Sequence, residues 1–598
     1  MRTSTLCASL LAVVLCGCGP KGMDPQAFEK LTGEFVDATL ALSPVSATAA
    51  GYHQHAGQAL DVLLDDYSAD GIARQRKHYA DWKARLAAVD RKSLDPQAQV
   101  DLDLMAGTVE AGLLELDTLQ SWRHNPTVYV EMIGNAIFTP FSIEYAPAAE
   151  RWSHIIARLR AVPAFLEAAK LQLAGSNEIW TRVAIEEGEG NLALVETAFP
   201  EKVSAAQRAE YDAAAKPAAA AMRAFHTHLK GLKDDGPESW RLGKEKYAAK
   251  FKLSVGSDVT PERLLADAEA ELTAIRRQMF IDALPLHKKY YPTHRDPVDL
   301  NLIVRETLDK IAAKHVAAAS YFAEAEKTLA ETREFMKAHE DRIVKMPGRD
   351  NLKLIDTPEF MRGIYGVGGF SAAPPLQPEL GAFYWLTPIP KDWPKERVDS
   401  KLREYNDYGL RILTIHEAIP GHYVQLEYAN AIEPKSRRLL RSLFGSGPYV
   451  EGWAVYATDV MIREGYLDKS PELALTFQKQ LLRAISNTIL DIRLQTGKMT
   501  EAEAMSLMVE KTFQEKEEAV AKFQRAQLGA CQLPTYFAGY RAWKALRAAA
   551  EKKAGPKFNA GVFHRNALEA GALPMPVLTH LLDLEAAAPA AKAAPPSK

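Results

Sequence analysis

Apolar residues recur along this chain at helical spacing. Behind Asp24-Pro25, the positions Phe28, Leu31 and Phe35 fall on one face until Ser43-Pro44 stops the run. Behind Thr260-Pro261, Leu264, Leu265, Ala268, Leu272 and Ile275 do the same. In both cases, and again at Ser470-Pro471, a short polar side chain precedes a proline, which predicts an N-cap followed by proline at the first helical position. Thr500 with Glu503 predicts a capping box. Alanine-rich stretches at 212–222 and 545–554 raise helix propensity further. The stretch at 584–595 is broken by Pro589 and Pro595, and residues 586–598 are expected to form a disordered tail.

Strand signals are scarce. The best is Phe383-Tyr384-Trp385-Leu386-Thr387, bounded by Gly381 and Pro388. It follows a Gly/Pro-rich passage, Gly363 to Pro378, that includes Gly366-Val367-Gly368-Gly369. No Lys-Ser/Thr follows those glycines, so the passage reads as an active-site loop and not as a nucleotide cradle. No repeat and no strong linker interrupts the pattern. The expected fold is therefore all-α with a small β element, one large body over 18–585. Its N-terminal helical half (18–355) would wall a central cleft, and its C-terminal half (356–585) would carry the chemistry.

The N-terminus changes the picture. Arg2 and the short apolar run Leu10 to Leu15 predict an export signal over 1–17. Leu15-Cys16-Gly17-Cys18 resembles a bacterial lipobox with Cys18 as the lipidated residue, and Gly19 after it favours the outer membrane, facing the periplasm. Of four cysteines, Cys7 and Cys16 would leave with the signal, and Cys531 is left alone as a packing residue. Formal charge is −3, with Lys and Arg dispersed, which gives no support to nucleic-acid binding.

The chemistry concentrates in His416-Glu417-Ala418-Ile419-Pro420-Gly421-His422 and in Glu451-Gly452-Trp453-Ala454. Two imidazoles and a carboxylate are the ligand set of a catalytic zinc ion, here His416, His422 and Glu451. Glu417, next to the first ligand, is placed to take the proton of the attacking water. The histidines are six residues apart, so a regular helix would set them roughly 240° apart. Pro420 and Gly421 predict a bulge or kink that returns both rings to one face, with glycine supplying unusual dihedrals. Gln425, one turn past His422, and Asp491, on a later helix, are candidates to orient a ligand ring. Asp491 reads equally well as an ordinary cap or surface charge.

On these residues the chain resembles bacterial domain-of-unknown-function family 885. H-E-A-I-P-G-H-x-x-Q followed by E-G-W-A looks like its signature. Gly51-Tyr52-His53, Leu64-Asp65-Asp66-Tyr67, Arg158-Leu159 with Val162-Pro163, Arg241-Leu242-Gly243 with Tyr247, Tyr536-x-x-Gly539 and Phe563-His564 extend the likeness over nearly the whole chain. One departure is Gln495 in Asp491-x-x-x-Gln495, where the pattern leads one to expect histidine.

The resemblance implies a zinc site similar to those of gluzincin peptidases, in a mainly helical architecture with a central cleft. It implies a Tyr or His donor to the oxyanion, here Tyr536 or His564, and a short strand near the metal, here 383–387, that pairs with an extended peptide. Arg493 and Arg525 could meet a substrate's terminal carboxylate. The function expected is an exported zinc metallohydrolase, a peptidase with one zinc per chain and short peptides as substrates, touching the membrane through its lipid alone. Alternatives are a non-catalytic zinc-binding lipoprotein and a zinc amidase or deacetylase acting on cell-wall material.

Overall fold

Three of the four predicted helix starts carry the side-chain hydrogen bond that defines a cap. Thr260 accepts from Arg263 N–H, Ser470 from Leu473 N–H, and Thr500 and Glu503 close a reciprocal capping box. Asp24 precedes Pro25 at the start of Pro25–Ala41 but makes no such bond. The computed structural model describes residues 23–584 apart from 257, 294–298, 358–361 and 363–365. The signal, Cys18 and the 586–598 tail lie outside the described residues. With 70% helix and 4% strand the fold is all-α.

The expected division at 355/356 does not separate two cores. Phe28, Phe35 and Trp82 share one buried cluster with Ile415, Trp453 and Trp543. A second cluster joins Tyr247, Met279 and Ile303 to Ile485, Ile489 and Phe537. Helices between 127 and 230 form a third around Tyr129, Trp152 and Phe225. A buried ion pair ties early and late segments together, with Arg441 Nε donating to Asp101 Oδ1 at 2.8 Å. Breaking such a pair from one side costs about 3–5 kcal/mol, because the surviving charge stays buried.

Two small sheets complete the fold. Gln54–His55 (β1) and Gln58–Ala59 (β2) form a hairpin. Leu352–Asp356 (β3), Gly368–Ser371 (β4) and Ala382–Leu386 (β5) form a three-stranded sheet in the order β3-β5-β4, with β5 parallel to β3 and antiparallel to β4. The predicted strand is therefore present, but at the centre. Both its hydrogen-bonding edges are taken, so it cannot itself receive a peptide strand, which corrects that expectation. One face of the sheet rests on the His416 helix, where the Tyr384 hydroxyl meets Thr414 Oγ1 at 3.3 Å. The opposite face, with Phe383 and Trp385, lines a cavity of about 440 Å³ against Phe138, Phe141 and Leu194.

Candidate metal centre

His416 ends one helix, Asp407–Glu417, and His422 opens the next, His422–Ala429. The chain between them is a helix break and not a bulge inside one continuous helix. Ala418 leaves helical geometry at φ −115°, ψ −91°, and Gly421 follows at φ −69°, ψ −127°. Gly421 N–H reaches back to Ile415 O at 3.0 Å, which folds the turn onto the end of the first helix. The reason for glycine is contact: a Cβ there would lie 1.9 Å from His416 O and 2.3 Å from Ile415 O. Its φ is negative, so the expected need for a glycine-only dihedral is replaced by this close approach.

Gly421→Ala must push the turn off both carbonyls. We expect a loss of about 1–3 kcal/mol, the usual cost of overpacking, together with weaker metal retention. Thermal unfolding and metal content of the variant, each equal to wild type, would remove the steric account.

The third donor comes from the helix Gly447–Arg463, which crosses Thr535–Ala554 at two glycines. A Cβ on Gly452 would meet Gly539 Cα at 2.4 Å, and one on Gly539 would meet Pro448 O at 1.9 Å. This contact explains both glycines of E-G-W-A and Tyr-x-x-Gly, and it brings Glu451 of one helix beside Tyr536 of the other. Trp453, two residues after Glu451, donates from Nε1 to Pro420 O at 2.9 Å and so fixes the inter-histidine turn against the Glu451 helix.

The outcome is a compact donor set. One ligand atom each from His416, His422 and Glu451 lies within 4.8 Å of the others. Both imidazole Nε2 atoms stand 3.5 Å from Glu451 Oε2. Ligands about 2.1 Å from a tetrahedral ion stand about 3.4 Å apart, so these residues fit zinc in chemistry and in their two imidazole–carboxylate spacings. Glu451 Oε2 is buried and has no hydrogen-bond partner, as has His422 Nδ1. Burial would raise the Glu451 carboxyl, but the two imidazoles beside it, His416 and His422, outweigh that and hold it far below the usual carboxylate range. His416 and Glu451 keep 17% and 18% of their side-chain surface, enough for solvent and a small ligand to reach the group.

Around this set, Phe370 of β4 stacks on the His422 ring at 6.4 Å between centroids, and the Tyr536 ring stacks on His416 at 6.3 Å. Burial first, and Glu451 second, push the Tyr536 phenol up to about 12, so it keeps its proton near neutrality. Glu417 is half-buried and makes no hydrogen bond or ion pair among the described residues.

Residues 44–582 match the profile of a family described as bacterial protein of unknown function (DUF885). The chain belongs to this family. Curated proteins give no match. A solved structure described as a candidate lipoprotein of unknown function from Shewanella oneidensis is 30% identical, with a TM-score of 0.76 over 93% of this chain and 99% of that one. Another, described as a candidate lipoprotein from Colwellia psychrerythraea, is 18% identical with a TM-score of 0.74 and the same coverage, and shares the fold.

Three candidates of this DUF885 chain do not make the contacts expected of them. His564 is fully buried in the core, with Nε2 on the Tyr456 hydroxyl at 2.8 Å and Nδ1 on Ile343 O at 2.5 Å. Burial pulls its pKa down to about 3, and with both nitrogens engaged it cannot serve an oxyanion. Asp491 orients no ligand ring. It accepts from the Tyr247 hydroxyl at 2.6 Å and from Cys531 N–H at 3.0 Å. Gln425 is buried beside His422 with both amide atoms unpartnered, so no direct bond to the ring is made.

Gln495, the departure from the family pattern, uses its amide to join Leu242 N–H to Ala526 O. Arg241-Leu242 and Tyr247 thus serve the end of the Pro471–Thr496 helix.

One participant was not read from the sequence. Gln532 donates from Nε2 to Glu451 Oε1 at 3.3 Å and to the Tyr536 hydroxyl at 3.2 Å. Asp491, through its bond to the neighbouring Cys531, supports the turn that carries Gln532. The four-residue spacing to Tyr536 was the available signal, but it acquires meaning only once Glu451 is beside it.

Proposed function

We propose that this DUF885 chain is a zinc-dependent hydrolase of the cell envelope, a peptidase acting on short peptides. The observation that carries the reading is the convergence of His416, His422 and Glu451 on one point, with both imidazole Nε2 atoms 3.5 Å from a single carboxylate oxygen. Held there, zinc would supply Lewis acidity toward a carbonyl and toward water.

The chain's own residues divide the remaining work. Glu417, adjacent to His416 and uncommitted, accepts the proton of the attacking water and returns it to the leaving amine. Tyr536, protonated near neutrality, donates to the oxyanion as charge develops there. Gln532 holds Tyr536 and Glu451 in register. Strand β4 lies at the sheet edge with Phe370 against His422, so its outer side is available to an extended peptide by strand addition.

The test is incubation of the purified, zinc-loaded protein with a mixed peptide library, with products identified by mass. Cleavage at amide bonds is expected. A protein that holds one zinc per chain and cleaves nothing would count against the peptidase reading and favour the non-catalytic alternative.

The envelope placement rests on the lipobox and on the two solved structures, both described as candidate lipoproteins. Among the described residues no helix is long and apolar enough to cross a membrane. Lipid on Cys18 is then the anchor, and Cys18→Ser should move the protein from the membrane fraction to the soluble fraction. Sedimentation with membranes after a salt wash would contradict this.

A further inference from the structure

We propose that Arg525, backed by Lys522 and steadied by Gln532, forms a carboxylate-binding subsite beside the metal ligands. The inference rests on the hydrolase reading and narrows its substrates to peptides that carry an anionic group there.

The helix Lys516–Leu528 lies along Pro471–Thr496, and the acidic groups around its start are paired with basic ones. Glu518 pairs with Arg483 at 3.2 Å, Arg403 with Glu515 at 3.2 Å, and Lys479 with Glu404 at 2.7 Å. One turn further the compensation stops. Lys522 is only 6% exposed, its Nζ donates to Asn487 Oδ1 at 2.8 Å, and among the described residues no Asp or Glu oxygen lies within 4.0 Å of it.

Arg525, three residues on, likewise has no carboxylate within that distance. Its Nη2 donates to Gln532 Oε1 at 2.9 Å, and the same Gln532 reaches Glu451 and Tyr536 through Nε2. The guanidinium also interacts with the Tyr536 hydroxyl, and it is thus one side chain removed from a metal ligand while the residue stays exposed. Arg493, the other arginine considered, is spent on Glu269 at 2.5 Å.

A buried ammonium with no carboxylate in contact is unfavourable, and here burial, then Arg483 and Arg525, hold Lys522 far below the ordinary lysine range, with Glu518 and Glu404 opposing more weakly. An anion on Arg525 would pair with the guanidinium and favour the protonated form of Lys522. The planar guanidinium fork matches a carboxylate bidentately, and Gln532 fixes the fork's position. The carboxylate could belong to the peptide's C-terminus or to an acidic side chain, and the experiment separates these.

The measurement is calorimetric binding to zinc-loaded, full-length protein carrying Glu417→Gln, so that turnover does not blur affinity. Three probes are compared: acetyl-trialanine, its C-terminal amide, and the C-terminal amide of acetyl-Ala-Asp-Ala. At least one carboxylate probe should bind about 10- to 100-fold more tightly than the trialanine amide, the range for charge-assisted hydrogen bonds. Preference for the free acid assigns the C-terminus, and preference for the aspartyl amide assigns a side chain. Arg525→Gln should abolish the advantage with bound zinc unchanged, and Lys522→Met should reduce it.

Equal binding of all three probes, no binding of any, or a preference that survives Arg525→Gln would each overturn the subsite. Its failure is separable from that of the peptidase reading. Library cleavage without carboxylate preference removes the subsite alone, whereas Arg525-dependent binding without cleavage removes the peptidase alone.

Discussion

His422→Ala is expected to empty the metal site while leaving the fold in place. His422 supplies one of three protein donors, and its loss leaves His416 and Glu451 too few to compete with water. Removing an outer partner of a metal ligand already costs about 10–100-fold in affinity, and removing the ligand itself should exceed that. His416→Ala and Glu451→Gln should behave alike, because both imidazoles meet the same Glu451 oxygen. Zinc per chain after dialysis is the direct readout. The stabilisation that zinc adds to wild type, which rises with the logarithm of its concentration over its dissociation constant, should vanish in all three variants. Full zinc occupancy in dialysed His422→Ala would show that the three residues meet for another reason.

The helical framework was legible because its signals are local. A capping hydroxyl and the N–H it accepts from are three residues apart, so Thr260, Ser470 and Thr500 announce their helices without knowledge of the fold. The convergence of the candidate metal donors was legible for a different reason: two imidazoles flanking Pro-Gly and a downstream carboxylate are chemically unusual together. The form of the turn between them was not. Gly421 is set by carbonyls of the preceding helix that fold back on it, a contact no dihedral argument foresees.

What escaped the sequence depends on distant partners. His564 looked like an oxyanion donor by position, yet the carbonyl of Ile343, more than two hundred residues earlier, captures one nitrogen and Tyr456 the other. The strand at 383–387 was visible as a run of aromatic and apolar residues between Gly381 and Pro388. Its central place was not, because β3 lies about thirty residues before it and β4 arises from a glycine-rich passage with weak strand propensity. Gln532 and Lys522 carry no motif at all. Their meaning comes from Glu451 beside the first and, among the described residues, from the lack of a carboxylate in contact with the second.

Glu417→Gln should retain zinc and fold and lose turnover. The amide matches the carboxylate in size, so the half-buried position beside His416 is kept, and no described partner has to be surrendered. What disappears is the capacity to accept a proton from the attacking water and to pass it to the leaving nitrogen. General-base contributions are about 10²–10⁴-fold, and since the same group serves in both proton transfers the loss should fall at the upper end. It should appear in kcat, because a peptide bound along β4 as proposed would not involve Glu417 and KM should change little. The comparison is made on whichever peptide the library identifies, with zinc content measured on the same samples. A Glu417→Gln variant with full zinc and an unchanged rate would remove Glu417 from the proton transfers and send the search for a base to another side chain.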